Sequence, residues 1–533
     1  MIRKSYKQVL AVGMAALLFT AAGCSLPADN SSAAADSAAE SVTLNIHLIN
    51  NVENIEGVLE KFYEMTKDTL NIRLNIQGAK DSVYRQTLSM KLQSFTNIDL
   101  CFDAPWMGMS TRIEAGEYLD LEPYFNNDAY PGLKKAFSQE YLNANRKNKR
   151  LYGFPIMSTY LDPNGITYRK DLLEKFNLGF DTISSYTQLE QFLQAAMQEN
   201  PGIYPLALSQ QSGFFLMFTN KIDLMNNGIY DVGGWDSLNF PVRIVLSDDR
   251  RTVKDVVFAT DEDSRFAALG GKYNYNFFRE QYENQKYWSK YTAEYSMVAE
   301  TPLSEQIAGL NIAGASFTFQ EQLRNAGIEE AVVDFWAYDQ VFASEEAMTK
   351  GGVSSPMQAW NFLCIPSESK NIEASIRFLD WLFSSQENME LFEFGVEGED
   401  WTAVGTTEYD VLTEKGNRYT FPSYCMAWNP NYVRTATTLT DSEKKIADYI
   451  RDPDSYTQIP LAGWSFDSTK AATEVARLEA EFSQYRLTLA HGKYDRQLAE
   501  LLAEMRTKFE NNGLEKVRTQ IIFQAQEFLD SNL

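Results

Sequence analysis

The side chains of this chain that could do chemistry are carboxylates, amides and aromatic rings, not histidines or thiols. Only His47 and His491 occur among 533 residues, which argues against a histidine-ligated metal centre and leaves a Ser-His-Asp triad almost without candidates. The cysteines beyond Cys24 are Cys101, Cys364 and Cys425, with no C-x-x-C pair. Each sits in an apolar or aromatic neighbourhood, so they read as buried free thiols. Asp261-Glu262-Asp263 opens like a calcium loop, but Phe266 stands where an EF-hand needs glycine and Lys272 where it needs glutamate. The densest acids, Glu397, Glu399 and Asp400, read as a solvated turn. No G-x-x-x-x-G-K-S/T phosphate loop is present. Neither a metal, a cofactor nor a catalytic residue set is therefore expected. What remains is Asp and Asn beside Trp and Tyr. Flat rings can stack on the apolar face of a small ligand, and carboxylates or amides can pair with its polar groups. With 9 Trp, 28 Tyr and 33 Phe, the chain can line a cleft after its core is filled.

The elements that would position such groups begin at Val42, where V-T-L-N-I-H-L alternates between apolar and polar. Ile55, Leu59 and Phe62 then fall on one helical face, and Ile72 to Ile76 alternates again. A helix from Ser82 to Phe95 leads to a short apolar run from Ile98 to Phe102. Strand, helix, strand, helix, strand implies a parallel sheet with crossover helices. Ligands of such sheets bind beyond the carboxyl ends of the strands. Asp103 and Trp106, just past the third strand, are therefore candidates, with core packing as the other reading of the indole. His47 falls on the polar side of its strand and reads as structural. Farther on, Val242 to Val257 alternates like a hairpin around Asp248 to Arg251, and Tyr273 to Tyr295 has helical spacing. In the tail, Val475, Leu478, Phe482, Tyr485 and Leu489 recur at three and four, as do Leu498, Leu501, Leu502, Met505 and Phe509. Asn512-Gly513 marks a stop before a third helix from Leu514 to Leu529.

About 490 residues from Val42 onward exceed what a single core accommodates, which stops growing near roughly 250 to 300 residues, so two lobes are expected. Before them, Arg3, Lys4 and Lys7 precede an apolar run from Val9 to Phe19, the pattern of a cleaved signal and too short to span a bilayer. The site Ala21-Ala22-Gly23-Cys24 resembles a bacterial lipobox, with Ala21 where that motif usually has Leu. The resemblance implies lipid on the Cys24 thiol and an extracytoplasmic, membrane-anchored address. Residues 24–41 are small and polar and read as a flexible linker. A formal charge of −24 disfavours nucleic acid and anionic headgroups as partners.

One stretch carries a resemblance to a family. LYGFPIMSTYLDPNGITYRKDLLEKF, residues 151 to 176, looks like the crossover of extracellular solute-binding proteins of carbohydrate ABC transporters. Trp360-Asn361-Phe362-Leu363-Cys364-Ile365-Pro366 looks like the return strand, and ASIRFLDWLFSSQENMELF like the helix after it. Phe394 to Trp401 resembles the FGxEGxxY box of the LplA-like lipoprotein branch, and Gly463-Trp464-Ser465-Phe466-Asp467 matches its C-terminal region.

The resemblance implies an α/β fold of the type II, maltose-binding-protein-like kind: two discontinuous lobes joined by hinge crossovers. Lobe one would comprise residues 42–157 and 361–415, lobe two residues 158–360 and 416–533. It adds site candidates to Asp103 and Trp106. Tyr160 and Asp162 follow the first crossover, Trp360 and Asn361 flank the second, and Phe319 stands where relatives place an aromatic facing the ligand. Trp428 completes the set. Asp162 can also be a turn residue in Asp-Pro-Asn-Gly. The implied activity is capture of a sugar or oligosaccharide by a monomeric lipoprotein that delivers it to integral-membrane ABC permease subunits. Two alternatives stay open: a surface polysaccharide-degrading enzyme, and a sensory binding lipoprotein without transport.

Overall fold

The structure, a computed structural model, describes residues 41–531 except 95–96, 211, 215–216, 233–237, 295, 298–301, 313–315 and 413–418. The expected signal segment, Cys24 and the linker up to residue 40 lie outside the described residues.

The alternation that begins at Val42 becomes the Val42–Ile49 strand, with Leu44, Ile46 and Leu48 fully buried. It sits inside a five-stranded sheet in the order Ile72–Ala79, Val42–Ile49, Leu100–Asp103, Asn361–Cys364, Phe154–Ile156. The first three strands run parallel, and Asn361–Cys364 runs antiparallel to both of its neighbours. The third strand starts at Leu100, two residues later than the apolar run suggests, and Asp103 is its last residue. Cys101 and Cys364 lie opposite each other in the antiparallel pair as buried free thiols.

A second sheet has the order Val333–Ala337, Asn164–Arg169, Ala308–Ile312, Leu206–Ala207. The chain leaves the first sheet for the second at residues 157–163 and re-enters the first sheet after residues 356–360, from the short strand Val353–Ser355 that pairs with Tyr456–Gln458. The expected boundary at residue 415 moves. Tyr419, Cys425, Met426 and Ala427 are buried in the first core, Thr420 bridges Glu53, and Thr435–Ala436 extends the Trp401–Val404/Glu408–Val411 hairpin. The chain rejoins the second lobe only at helix Asp441–Arg451, whose Ile446 and Ile450 pack with Phe335, Val353 and Tyr456. Apolar side chains from 419–427 complete the first core, and that decides to which lobe the segment belongs.

The three tail helices, Ala472–Ala490, Leu498–Asn511 and Leu514–Ser531, pack on the antiparallel sheet Ile229–Asp231, Val242–Leu246, Val253–Phe258 in one continuous core. A buried ion pair fixes the last helix: Arg518 donates to both oxygens of Asp261, at 2.6 and 3.0 Å. That contact uses the first acid of the calcium-like motif. No helix among the described residues is long and apolar enough to cross a membrane.

Candidate functional site

Trp106 lies in the short 3-10 turn Pro105–Met107 that follows the third strand. Its indole Nε1 donates to Asn361 Oδ1 at 3.2 Å. Asn361 opens the next strand of the same sheet, so the hydrogen bond joins two adjacent strand ends. The Arg85 guanidinium lies 4.4 Å from the indole centroid and pairs with Asp81 at 2.7 Å. Trp106 nevertheless keeps 43% of its surface exposed. Such a ring, held in place yet wet, is available to stack on a ligand. Its ring neighbour Phe102 touches Tyr424, which lies 5.8 Å from Trp428, so a file of aromatics runs along this side of the first lobe. Trp428 is half-buried against the first core.

Asp103 takes a different role from the ligand contact expected of it. It is fully buried, and its two oxygens receive Arg112 in a two-pronged pair, the Tyr118 hydroxyl at 2.5 Å and the Ala104 N–H at 2.7 Å. Burial works against the guanidinium charge, yet the carboxylate overcomes it and raises the Arg112 pKa. With every direction occupied, Asp103 anchors the turn that carries Trp106.

At the second crossing Trp360 is 54% exposed, and the Lys221 ammonium lies 5.6 Å from its ring centroid. Lys221 opens the helix Lys221–Asn226 of the second lobe. Acids surround it: Asp231 at 3.6 Å, with Asp162 and Asp339 within electrostatic reach. Asp339 is only partly exposed, and burial pushes its carboxyl up to about 7, Lys221 opposing and Asp223 adding to the rise. Burial likewise raises Asp162 against the pull of Lys221. At Asp231 burial loses to Arg243 and Lys221, and its pKa falls. Carboxylates perturbed in this way cluster at functional sites. Lys221 lies over Trp360, whose chain neighbour Asn361 accepts from Trp106, and Asp339 is within electrostatic reach of Lys221.

Tyr160 serves the hinge. Its ring meets Tyr141 of the first core at 5.6 Å and Tyr456 of the second lobe at 5.3 Å, both edge-on, and its carbonyl accepts the Ser355 hydroxyl at 3.0 Å. Phe319, on helix Ser316–Asn325, packs half-buried against Leu323, Ala331 and Val333 in a small separate core. No ring contact among the described residues ties it to Trp106. Of the expected residues the structure thus gathers Trp106, Asn361, Trp360 and Asp162, places Trp428 at the end of the aromatic file, and gives Asp103, Tyr160 and Phe319 to support and packing.

Glu397, Glu399 and Asp400 lie in the turn before strand Trp401–Val404, where an Asp400 oxygen accepts the Val396 N–H at 2.8 Å. Among the described residues no three His, Cys, Asp or Glu side chains gather as metal ligands. Sequence reasoning missed Lys221, Asp339 and Tyr424. No short motif surrounds them, because segments from different parts of the chain converge on the crossing.

Residues 51–389 match the family model described as bacterial extracellular solute-binding protein, and residues 460–530 match a domain of unknown function. A carbohydrate ABC transporter substrate-binding protein of Streptococcus pneumoniae is 21% identical over 98% of this chain and 96% of its own length. The solved structure of the N-glycan transport solute binding protein NgtS from the same organism superposes with a TM-score of 0.66 at 18% identity. It covers 92% of this chain and 100% of the other. An HMO binding, ABC-transporter associated solute binding protein from Bifidobacterium longum infantis gives 0.58 at 12% identity, covering 92% and 99%.

Proposed function

The chain belongs to the bacterial extracellular solute-binding protein family, and from that premise we propose that it captures a sugar or oligosaccharide between its lobes and delivers it to the permease of an ABC transporter. The carrying observation is Trp106, an exposed indole held by Asn361, whose chain neighbour Trp360 is exposed beside Lys221 and the carboxylates around that lysine. Rings with acids and amides beside them match the two faces of a pyranose. The relatives agree in kind: one is named for carbohydrate transport, and NgtS was solved with Man1GlcNAc and Man5GlcNAc.

In this reading no bond is made or broken. The segments 157–163 and 356–360 act as hinges, and ligand favours the closed form by its differential affinity for it. Lipid on Cys24 holds a monomeric receptor at the outer face of the membrane, and the linker leaves its lobes free to close and dock.

The test is calorimetry and small-angle scattering with a panel of neutral, amino and acidic oligosaccharides. Binding accompanied by a smaller radius of gyration supports the proposal. Absence of binding and closure across the panel, or turnover of any member, overturns it.

A further inference from the structure

The second lobe holds a hollow that the Trp106 and Trp360 group does not use. Tyr186, Phe218, Asn220, Glu280, Asn284 and Trp288 line a pocket of ≈ 150 Å³. Three rings form its apolar walls. Tyr186 lies 5.0 Å from Phe218 and 5.8 Å from Trp288, and Phe218 lies 5.9 Å from Trp288. Two amides and one carboxylate supply its polar groups. Rings to pack against and polar groups to fix orientation, here in about equal share, are what a small polar ligand with an apolar face needs.

The backbone here is strained. Phe218 has φ +68° and Asn220 φ +45°. Asparagine tolerates the left-handed region, but a bulky ring adopts it only when its surroundings enforce it. The Phe218 N–H donates to the Tyr186 hydroxyl, and the ring is wedged among Tyr186, Phe214 and Trp288. Strain held in this way clusters at ligand clamps.

The pocket adjoins the crossing. Asn220 directly precedes Lys221, whose ammonium faces Trp360. Tyr186 stacks 6.3 Å from Tyr338, the neighbour of Asp339. We propose that this pocket is a second subsite, receiving one uncharged sugar ring of an oligosaccharide whose inner rings lie on Trp106 and Trp360. The proposal rests on the sugar-binding reading and adds to it a place and a charge class.

The charge class follows from the surroundings. Glu280 lines the pocket, and Asp339, Asp162 and Asp231 surround the neighbouring Lys221, which is already engaged by Asp231. Hydroxyls can donate to these oxygens. A uronate would bring another carboxylate to a wall with more acids than bases, and like charges at close range oppose binding. Burial that already drives the Asp339 carboxyl up points the same way.

The experiment measures affinities of the full mature protein for neutral manno-, gluco-, galacto-, xylo- and N-acetylglucosamine oligosaccharides of two and of five rings, and for oligogalacturonates of matching length. Wild type, Asn284→Ala and Glu280→Gln are compared, with melting temperature as the check on folding. For the neutral series that binds, the longer chain should bind at least tenfold tighter than the shorter. Asn284→Ala should remove most of that gain while the two-ring affinity stays within about twofold. Oligogalacturonates should bind at least tenfold more weakly than the neutral chain, and Glu280→Gln should narrow that ratio. Equal length dependence in wild type and Asn284→Ala, or uronates that bind as tightly as neutral chains, overturns the subsite while leaving the receptor reading intact. No binding of any glycan sinks both.

Discussion

The indole of Trp106 donates to the side chain of Asn361, 255 residues further along the chain, at 3.2 Å. The exposed ring at the end of one strand thus depends on the residue that begins its neighbour, at the point where the chain returns from the second lobe. Truncating Trp106 to alanine should weaken glycan binding at least tenfold, about 1.4 kcal/mol, with only a modest change in melting temperature because the residue keeps 43% of its surface exposed. Asn361→Ala should cost less, and the double variant less than the sum, since each partner acts through the other. Strictly additive calorimetric losses would show that the two act separately.

Asp103 and Arg112 make the opposite prediction. Removing one partner leaves a buried charge alone, which costs about 3 to 5 kcal/mol. Asp103→Ala and Arg112→Met should each lower the urea midpoint accordingly. Protein that stays folded should still bind the ligand, more weakly in proportion to the disorder of the Pro105–Met107 turn. Unchanged stability in either variant would contradict the buried pair.

Tyr160 reports on the hinge. Tyr160→Ala removes edge contacts to Tyr141 and Tyr456 together. A loss of about 2 to 3 kcal/mol is expected, below the range for a fully buried ring. Scattering of the ligand-free variant should show a broader spread of interlobe distances than wild type. An unchanged profile would remove Tyr160 from the hinge.

Asp339 sets a pH dependence. Its carboxyl titrates near 7 in the folded protein, against about 3.9 in an unfolded chain. Between those values the native state holds a proton that the unfolded state has released. Stability from this group therefore falls as pH rises through the window and levels off above it. Asp339→Asn should flatten that slope, gaining on wild type as pH rises from about 4 to 8. A constant difference in unfolding free energy between the two over this range would refute the assignment.

The thiols test the anchor. Cys101, Cys364 and Cys425 are buried, and burial raises each pKa. They should resist a thiol reagent in the native protein and react only on unfolding. The denatured mature protein should then expose three thiols and the unprocessed chain four. A fourth reactive thiol in mature protein would argue against lipid on Cys24.

The elements that a side-chain period can announce were legible in sequence. Leu44, Ile46 and Leu48 alternate and are buried, and Val475 through Phe509 traces the faces of two helices as spaced. The crossings near residues 157 and 360 were expected only through the family resemblance of residues 151–176 and 360–366, not from any side-chain period. Asp103 misled because its position beside a strand end suits a ligand contact, whereas its partner Arg112 comes from a short helix that carries no signal of its own. Segment 419–436 misled for a related reason: it packs through scattered residues such as Tyr419 and Cys425, and no period reveals which core receives them. Lys221 and Asp339 gain their meaning only from convergence.

Arg518 on the last helix holds Asp261, 257 residues earlier in the chain. A ribosome that has just added Asp261 must make nearly half the protein again before that partner exists. The sheet over which the tail helices close therefore remains uncapped through nearly half of synthesis, and the second lobe cannot settle one segment at a time. Chains cut short by an early stop or a nick would present an open apolar face to chaperones and proteases. The carboxyl-terminal helices thus make completeness of translation a condition for burying that face.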